Sequence, residues 1–353
     1  MGFIDIEGLV SLLREKGGTF GLLSQQASPV AERLAGEFLG SGFKCLFSAE
    51  HGYFGLAGAG EKTASLVHPA WGIPVHSLYG ATRKPTGEML EGLDRIVVDL
   101  QDIAVRCYTY LATLKNVLEA ASEAGIAVTV LDRPVPFAGI AEGPMLEKGL
   151  ESFVAPVNVP MRHGMTPGGC ARWIVREEGL QVELDVVELK GWKGMERVPW
   201  ANFMPPSPAI RSWDAAAIYP VTVFTEAFPK VDCDRAGSYA FRVLGLDGLD
   251  ARGLCRDLGD AAGGCGFSLR PFRYVPQGKD APLDGVLISL ADGDSSPYRP
   301  CSMGAIILEW LYSRHSALLE DGARWEWLAK LYGTWSLASA IKSHHTRDLV
   351  GGW

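Results

Sequence analysis

The chain has 353 residues, with 33 Lys and Arg against 41 Asp and Glu, a formal net charge of −8 and 47% apolar residues. That length suits about two domains with cores of their own, and 21% charged residues beside so much apolar content excludes a disordered chain. No apolar run approaches the ~18 residues needed to span a bilayer and no broad basic face is available, so neither membrane nor nucleic acid is an expected partner.

The first ten residues carry Asp5 and Glu7 where a secretory leader would carry Lys or Arg. The expectation is a cytoplasmic chain, or a periplasmic or secreted one whose leader has been removed. Seven cysteines, at 45, 107, 170, 233, 255, 265 and 301, form no C-x-x-C pair and are odd in number. They read as scattered reduced core thiols rather than a disulfide framework or a zinc site.

In chain order, 19–25 (TFGLLSQ) is a predicted strand, and Ser28-Pro29 opens a helix running to about Leu39. Strands are predicted over 44–50, 73–78 and 95–102, then a helix over 111–124 closed by Gly125. A strand at 127–133, a helix at 167–178 and a strand at 182–189 follow. Near-continuous apolar strands alternating with helices predict a Rossmann-like, doubly wound, mainly parallel α/β sheet covered on both faces. The proline- and aromatic-rich 198–208 reads as a rigid connection. Beyond it, helices are predicted at 237–245 and 249–262, strands at 267–275 and 285–291, and helices at 302–315, 323–332 and 337–344. The expected division is a Rossmann-like catalytic domain over 1–195 and a smaller α+β domain over 196–353.

Three predicted strands end in polar residues. The second runs into Ser48-Ala49-Glu50-His51-Gly52, the fourth into Asp99-Leu100-Gln101-Asp102 with Arg106, Tyr108 and Tyr110 beyond, and the fifth into Asp132-Arg133. Ligands of open parallel sheets bind outside the carboxyl ends of the strands, so these residues mark a candidate crevice. No G-x-S-x-G elbow or P-loop is present. The glycine-rich run 55–60 (GLAGAG) has the wrong spacing for a phosphate loop and reads as a mobile loop over the site. Histidines 51, 68, 76 and 163 lack metal-ligand spacing, and Asp292 and Asp294 read as turn formers, so no metal or cofactor is expected. Paired carboxylates then point to general acid/base work on a polar substrate, glycoside hydrolysis above all.

These residues fall in ordered motifs: S-A-E-H-G (48–52), S-L-Y-G (77–80), K-P-T (84–86), D-L-Q-D-I-A-V-R-C-Y-T-Y (99–110), L-D-R-P-V-P (131–136), E-G-P-M-L (142–146) and R-H-G-M-T (162–166). With G-W (191–192), P-P-S-P (205–208) and Y-P (219–220), they resemble the NamZ-like exo-β-N-acetylmuramidases over most of the chain. The resemblance implies an exo-acting glycosidase of cell-wall recycling, its cleft between a Rossmann-like and a C-terminal domain. It would release N-acetylmuramic acid from the non-reducing end of a small glycan such as a muropeptide.

Carried over on those motifs, Glu50 is the implied general acid/base, with His51 orienting it or binding a sugar hydroxyl. Arg106, Arg133 and Arg162 are implied partners for the lactyl carboxylate, since guanidinium grips carboxylate in a bidentate fork. Tyr79, Tyr108, Asp102, Asp132 and His163 complete the implied substrate-binding set, and Tyr110 is a further ring for the sugar. Glu142 and Glu226 are alternatives for a second catalytic carboxylate, unless the substrate's own acetamido oxygen attacks and Asp102 orients it. The chain departs from the family pattern at Val135, at Gly169, at Ala209-Ile210-Arg211 and through the run from Glu226 to Ser238. Those departures leave two alternatives open: altered amino-sugar specificity, or a member that binds a muropeptide without cleaving it.

Overall fold

Short runs of residues buried on both faces make the inner strands of the larger sheet, as interior strands of a parallel sheet require. The computed structural model describes residues 3–25, 27–195, 198, 203–291 and 297–353. The predicted turn formers Asp292 and Asp294, and 199–202 of the predicted connection, lie outside the described residues. The chain forms two compact units, one of residues 1–104, 108–138 and 165–208, the other of 105–107, 139–164 and 209–353. The units therefore interleave along the chain, whereas the expected domains met at a single point after residue 195.

The first unit holds a seven-stranded sheet: β1 (Phe20–Leu23), β2 (Phe43–Ser48), β3 (Leu66–Val67), β4 (Pro74–Ser77), β5 (Arg95–Val98), β6 (Ala127–Leu131) and β7 (Leu184–Val187). Every side chain of β1, β5 and β6 is buried, and β2 exposes only Lys44. Across the sheet the order is β3-β4-β2-β1-β5-β6-β7. Only the short edge strand β3 is antiparallel to its neighbour among these strands. Without β3, the parallel strands in chain order run 3-2-1-4-5-6, the doubly wound order, and the winding reverses between β1 and β5. The expected fold class is the one observed.

Helices α1 (Ile6–Lys16), α2 (Val30–Phe38), α3 (Gly87–Leu90), α4 (Tyr110–Ala124) and α5 (Pro167–Glu177) belong to this unit. Their ends follow local chemistry. Asp5 accepts the Gly8 amide at the start of α1, Gly125 closes α4 in the left-handed conformation at φ 69°, and Thr166 with Pro167 opens α5. Ser28 serves α2 less than its position suggests. It accepts the Val30 amide at 3.2 Å, but its own proton goes to Asp99. Leu9, Val10 and Leu13 of α1 and Leu34 of α2 pack with Phe20, Leu22, Phe43 and Leu46 in one core cluster.

The second unit opens with α6 (Trp213–Thr222) and a 3₁₀ turn over Val223–Glu226. A three-stranded antiparallel sheet of order β8-β10-β9 follows, from β8 (Val243–Gly245), β9 (Phe267–Tyr274) and β10 (Leu283–Leu290), with α7 (Ala251–Gly264) between β8 and β9. Helices α8 (Pro300–Leu319), α9 (Gly322–Tyr332), α10 (Ser336–Lys342) and α11 (Thr346–Val350) end the chain. One expectation is corrected here. The predicted helix over 237–245 is a set of turns leading into β8, because the Asp234 carboxylate takes the Tyr239 amide and Phe241 turns left-handed at φ 60°. The Tyr219-Pro220 pair lies inside α6.

All seven cysteines are free thiols, and all but the half-buried Cys255 are buried. Among the described residues no helix is long and apolar enough to cross a membrane, and no group of three His, Cys, Asp or Glu side chains is arranged to hold a metal ion.

Candidate active site

Glu50 stands two residues past the carboxyl end of β2 and is 8% exposed. Both of its oxygens accept hydrogen bonds. The Gly60 amide donates to Oε1 at 2.6 Å, and the Thr109 hydroxyl donates to Oε2 at 2.5 Å. The Tyr79 hydroxyl also bonds this carboxylate, and the Arg83 guanidinium lies 3.5 Å over the Tyr79 ring. Burial and the Glu50 charge together push the Tyr79 phenol up from its ordinary range. The next residue, His51, has a left-handed backbone at φ 73°, and its Nδ1 lies 3.0 Å from the Ala57 carbonyl. Non-glycine residues held in that region cluster at functional sites. The run 55–60 is thus tied to Glu50 at one end through Gly60 and to His51 through Ala57.

A cavity of about 480 Å³ adjoins this group, lined by Gln25, His51, Phe54, Tyr110, Pro206 and Ser207 among others. That size is ordinary for a small-molecule site, ~300–1,000 Å³. Tyr110 is fixed as a wall: its hydroxyl meets Gln25 Oε1 at 3.0 Å and the Pro206 carbonyl at 2.5 Å. Tyr108 packs edge-on against Tyr110 with centroids 4.9 Å apart. Burial raises both phenols, and the charges of Glu50 and Asp102 act on both. Asp102 is buried, accepts the Ala104 amide at 2.7 Å, and burial pushes its carboxyl up to about 6.

The remaining expected residues of this unit serve its interior. Asp99 is fully buried at the β1/β5 switch point, where it accepts the Ser24 and Ser28 hydroxyls and pairs with Arg133 at 2.5 Å. Arg133 also reaches Ser28 at 2.9 Å. Its fork is turned into the protein, away from the role of gripping a ligand carboxylate. Asp132 takes the Thr166 hydroxyl and the Gly168 amide, so it holds the start of α5, and burial raises its carboxyl.

In the second unit Arg106 is fully buried and donates to the carbonyls of Pro144, Val159 and Tyr332. Arg162, equally buried, donates to the Ile140 carbonyl and lies 5.0 Å from the Tyr298 ring centroid. Burial, with the charges of Arg162 and Arg106, pushes the His163 imidazole down to about 3. Glu142 receives the Cys301 and Ser302 amides at 2.8 and 3.0 Å and the Ser302 hydroxyl at 2.5 Å. Its carboxylate is the cap of α8, a place that suits a negative charge. Glu226 is more open, with a quarter of its side chain exposed, 3.4 Å from the Tyr219 hydroxyl and 3.8 Å from Arg235.

Within the first unit, then, Glu50, His51, Tyr79, Tyr108 and Asp102 share one neighbourhood, while Asp132 and Arg133 have separate structural partners. Thr109, Arg83 and Gln25 join the site without having been expected in it, and Gly60 comes from the run expected to lie over it. Thr109 sits in the D-L-Q-D-I-A-V-R-C-Y-T-Y motif, but a Thr before a helix reads from sequence as a cap.

A doubly wound sheet with a buried, hydrogen-bonded carboxylate and a small-molecule-sized cavity at its carboxyl edge defines an α/β protein of the kind whose ligand sites lie at the strand ends. Residues 21–214 match the family described as exo-β-N-acetylmuramidase NamZ, N-terminal, and the chain belongs to that family, the one its ordered motifs resemble. Over 206 residues it is 39% identical to the peptidoglycan β-N-acetylmuramidase NamZ of Bacillus subtilis (strain 168). The match covers 57% of this chain and 49% of that protein, so it spans about half of the curated relative's length. A crystal structure of a DUF1343 family protein from Bacteroides fragilis NCTC 9343 is similar at a TM-score of 0.81 and 26% identity, covering 94% of this chain and 90% of that one. A second DUF1343 family protein of the same organism shares the fold at a TM-score of 0.75 and 21% identity, over 99% and 94% of the two chains.

Proposed function

We propose that this chain is a glycoside hydrolase that removes N-acetylmuramic acid from the non-reducing end of peptidoglycan fragments, with Glu50 as general acid/base. Family membership supports the chemistry, and the observation that carries the assignment is Glu50 itself. It is a mostly desolvated carboxylate at the carboxyl edge of the sheet, one residue from a wall of the cavity. In this mechanism Glu50 gives its proton to the glycosidic oxygen as that bond breaks, and later takes one from the attacking water. Tyr79 and Thr109 hold the carboxyl group, and Tyr110 and Phe54 face the sugar.

Asp102 is the better second group than Glu142, whose oxygens are committed to α8. A carboxyl near neutrality, as burial makes Asp102, suits hydrogen bonding to the 2-acetamido group of the substrate. The departures around Glu226 to Ser238 favour the second reading, a member that binds an amino sugar without hydrolysis.

Release of N-acetylmuramic acid from a chromogenic β-muramide, measured for wild type and Glu50→Gln, tests this. The expected result is turnover that falls by roughly 10²–10⁴-fold in the variant while the sugar still binds. No turnover by wild type on the β-muramide or a β-glucosaminide favours the binding reading. Equal turnover in both proteins moves the acid/base role to another carboxylate.

A further inference from the structure

We propose that Thr109 is a positioning residue for Glu50, and that its hydroxyl selects Oε2 as the oxygen carrying the transferable proton. The inference rests on the reading of Glu50 as acid/base. Thr109 occupies the cap position of α4, where a threonine hydroxyl ordinarily accepts an amide of the first turn. Here it makes no cap bond. It reaches instead across fifty-nine residues of sequence to Glu50 Oε2, at 2.5 Å. Its backbone there is already helical, at φ −64° and ψ −12°, unlike the extended backbone of a capping residue.

The two oxygens of Glu50 have unlike partners. Oε1 faces the Gly60 amide, which can only donate, so that oxygen stays unprotonated while the bond stands. Oε2 faces a hydroxyl, which donates to a carboxylate and accepts from a carboxylic acid by rotating about its C–O bond. Proton transfer then balances. The Oε2–H bond breaks, a bond forms from that proton to the leaving oxygen, and the electron pair remains on Oε2. The Thr109 hydroxyl turns to donate to the new carboxylate. The other titratable or charged groups facing this carboxyl are Tyr79, with Arg83 stacked on it, from the segment after β4, and Tyr108 and Tyr110 at the start of α4.

The test compares wild type, Thr109→Val and Thr109→Ser in the full chain on a chromogenic β-muramide, with circular dichroism to verify folding. The expected result for Thr109→Val is a fall in kcat of about 10–100-fold with KM within about threefold. The alkaline limb of its rate profile moves to higher pH, because Glu50 must hold its proton to act as acid and a donor to its carboxylate is gone. Thr109→Ser restores most of both. Wild-type kcat and an unmoved limb in Thr109→Val overturn the proposal, and so does a Ser variant as impaired as Val. If wild type itself releases no sugar, the hydrolase reading fails separately. NMR titration of labelled Glu50 then decides: a midpoint higher in Thr109→Val than in Thr109→Ser upholds the link, and equal midpoints overturn it.

Discussion

His163 is buried beside Arg162 and its imidazole is pushed down to about 3. In the unfolded chain it titrates near ~6.5. Its folded value is depressed, so its contribution to stability is complete above ~6.5 and is lost as pH falls toward about 3. Urea unfolding should therefore show wild type losing about 2 kcal/mol more than His163→Asn between pH 7 and 5. Asp102 works in the opposite sense in its own unit: its raised carboxyl stabilises at low pH, and that contribution is lost as pH rises through about 6. At this scale sequence reveals chemistry better than neighbours. The place of Glu50, a carboxylate just beyond an apolar strand, was legible. The three arginines were the right type for a lactyl carboxylate. Yet Arg106 is committed to backbone carbonyls and Arg133 to Asp99, partners that no local pattern discloses. Thr109 was hidden for the same reason, its partner being distant in the chain.

Among the elements, α8 depends most visibly on one distant side chain. Removing the Glu142 carboxylate by Glu142→Ala leaves the Cys301 and Ser302 amides and the Ser302 hydroxyl without their acceptor in a buried place. The expected cost is about 3 kcal/mol or more, read as a lower urea midpoint. Most strands and most of the long helices were legible from apolar runs, glycine stops and Ser/Thr/Pro starts; α1 was not expected, and every predicted strand but β10 came out shorter than expected. The predicted run to 102 ends as β5 at Val98: the Asp99 amide still bonds the Leu23 carbonyl at 2.9 Å, while its side chain turns to Ser24, Ser28 and Arg133. Helix α6 was not legible. All of it but Asp214 is buried, so it has no polar face to set a period, and Pro220 sits inside it. The turns before β8 look helical in composition because propensity is weak beside Asp234 capturing a backbone amide.

For the whole molecule, the strand order places the reversal of winding between β1 and β5, and the Ser24, Ser28, Asp99 and Arg133 network fills that point. The layered α/β class was readable from alternation alone. The membership of 105–107 and 139–164 in the second unit was not, since it is set by contacts across long stretches of chain. The buried thiols give this division a practical use. Cys45 and Cys170 belong to the first unit, and Cys107, Cys233, Cys265 and Cys301 to the second. Burial pushes Cys45 and Cys107 up to about 12, which leaves almost no reactive thiolate while the fold is closed. An alkylating reagent should mark Cys255, half-buried and itself pushed up to about 11, slowly in the native protein, and the other six only on opening. Peptide mass spectrometry across a urea series is expected to show Cys45 and Cys170 becoming labelled together. The chain thus carries its own clock of unfolding, with separate hands in each unit and no engineered tag.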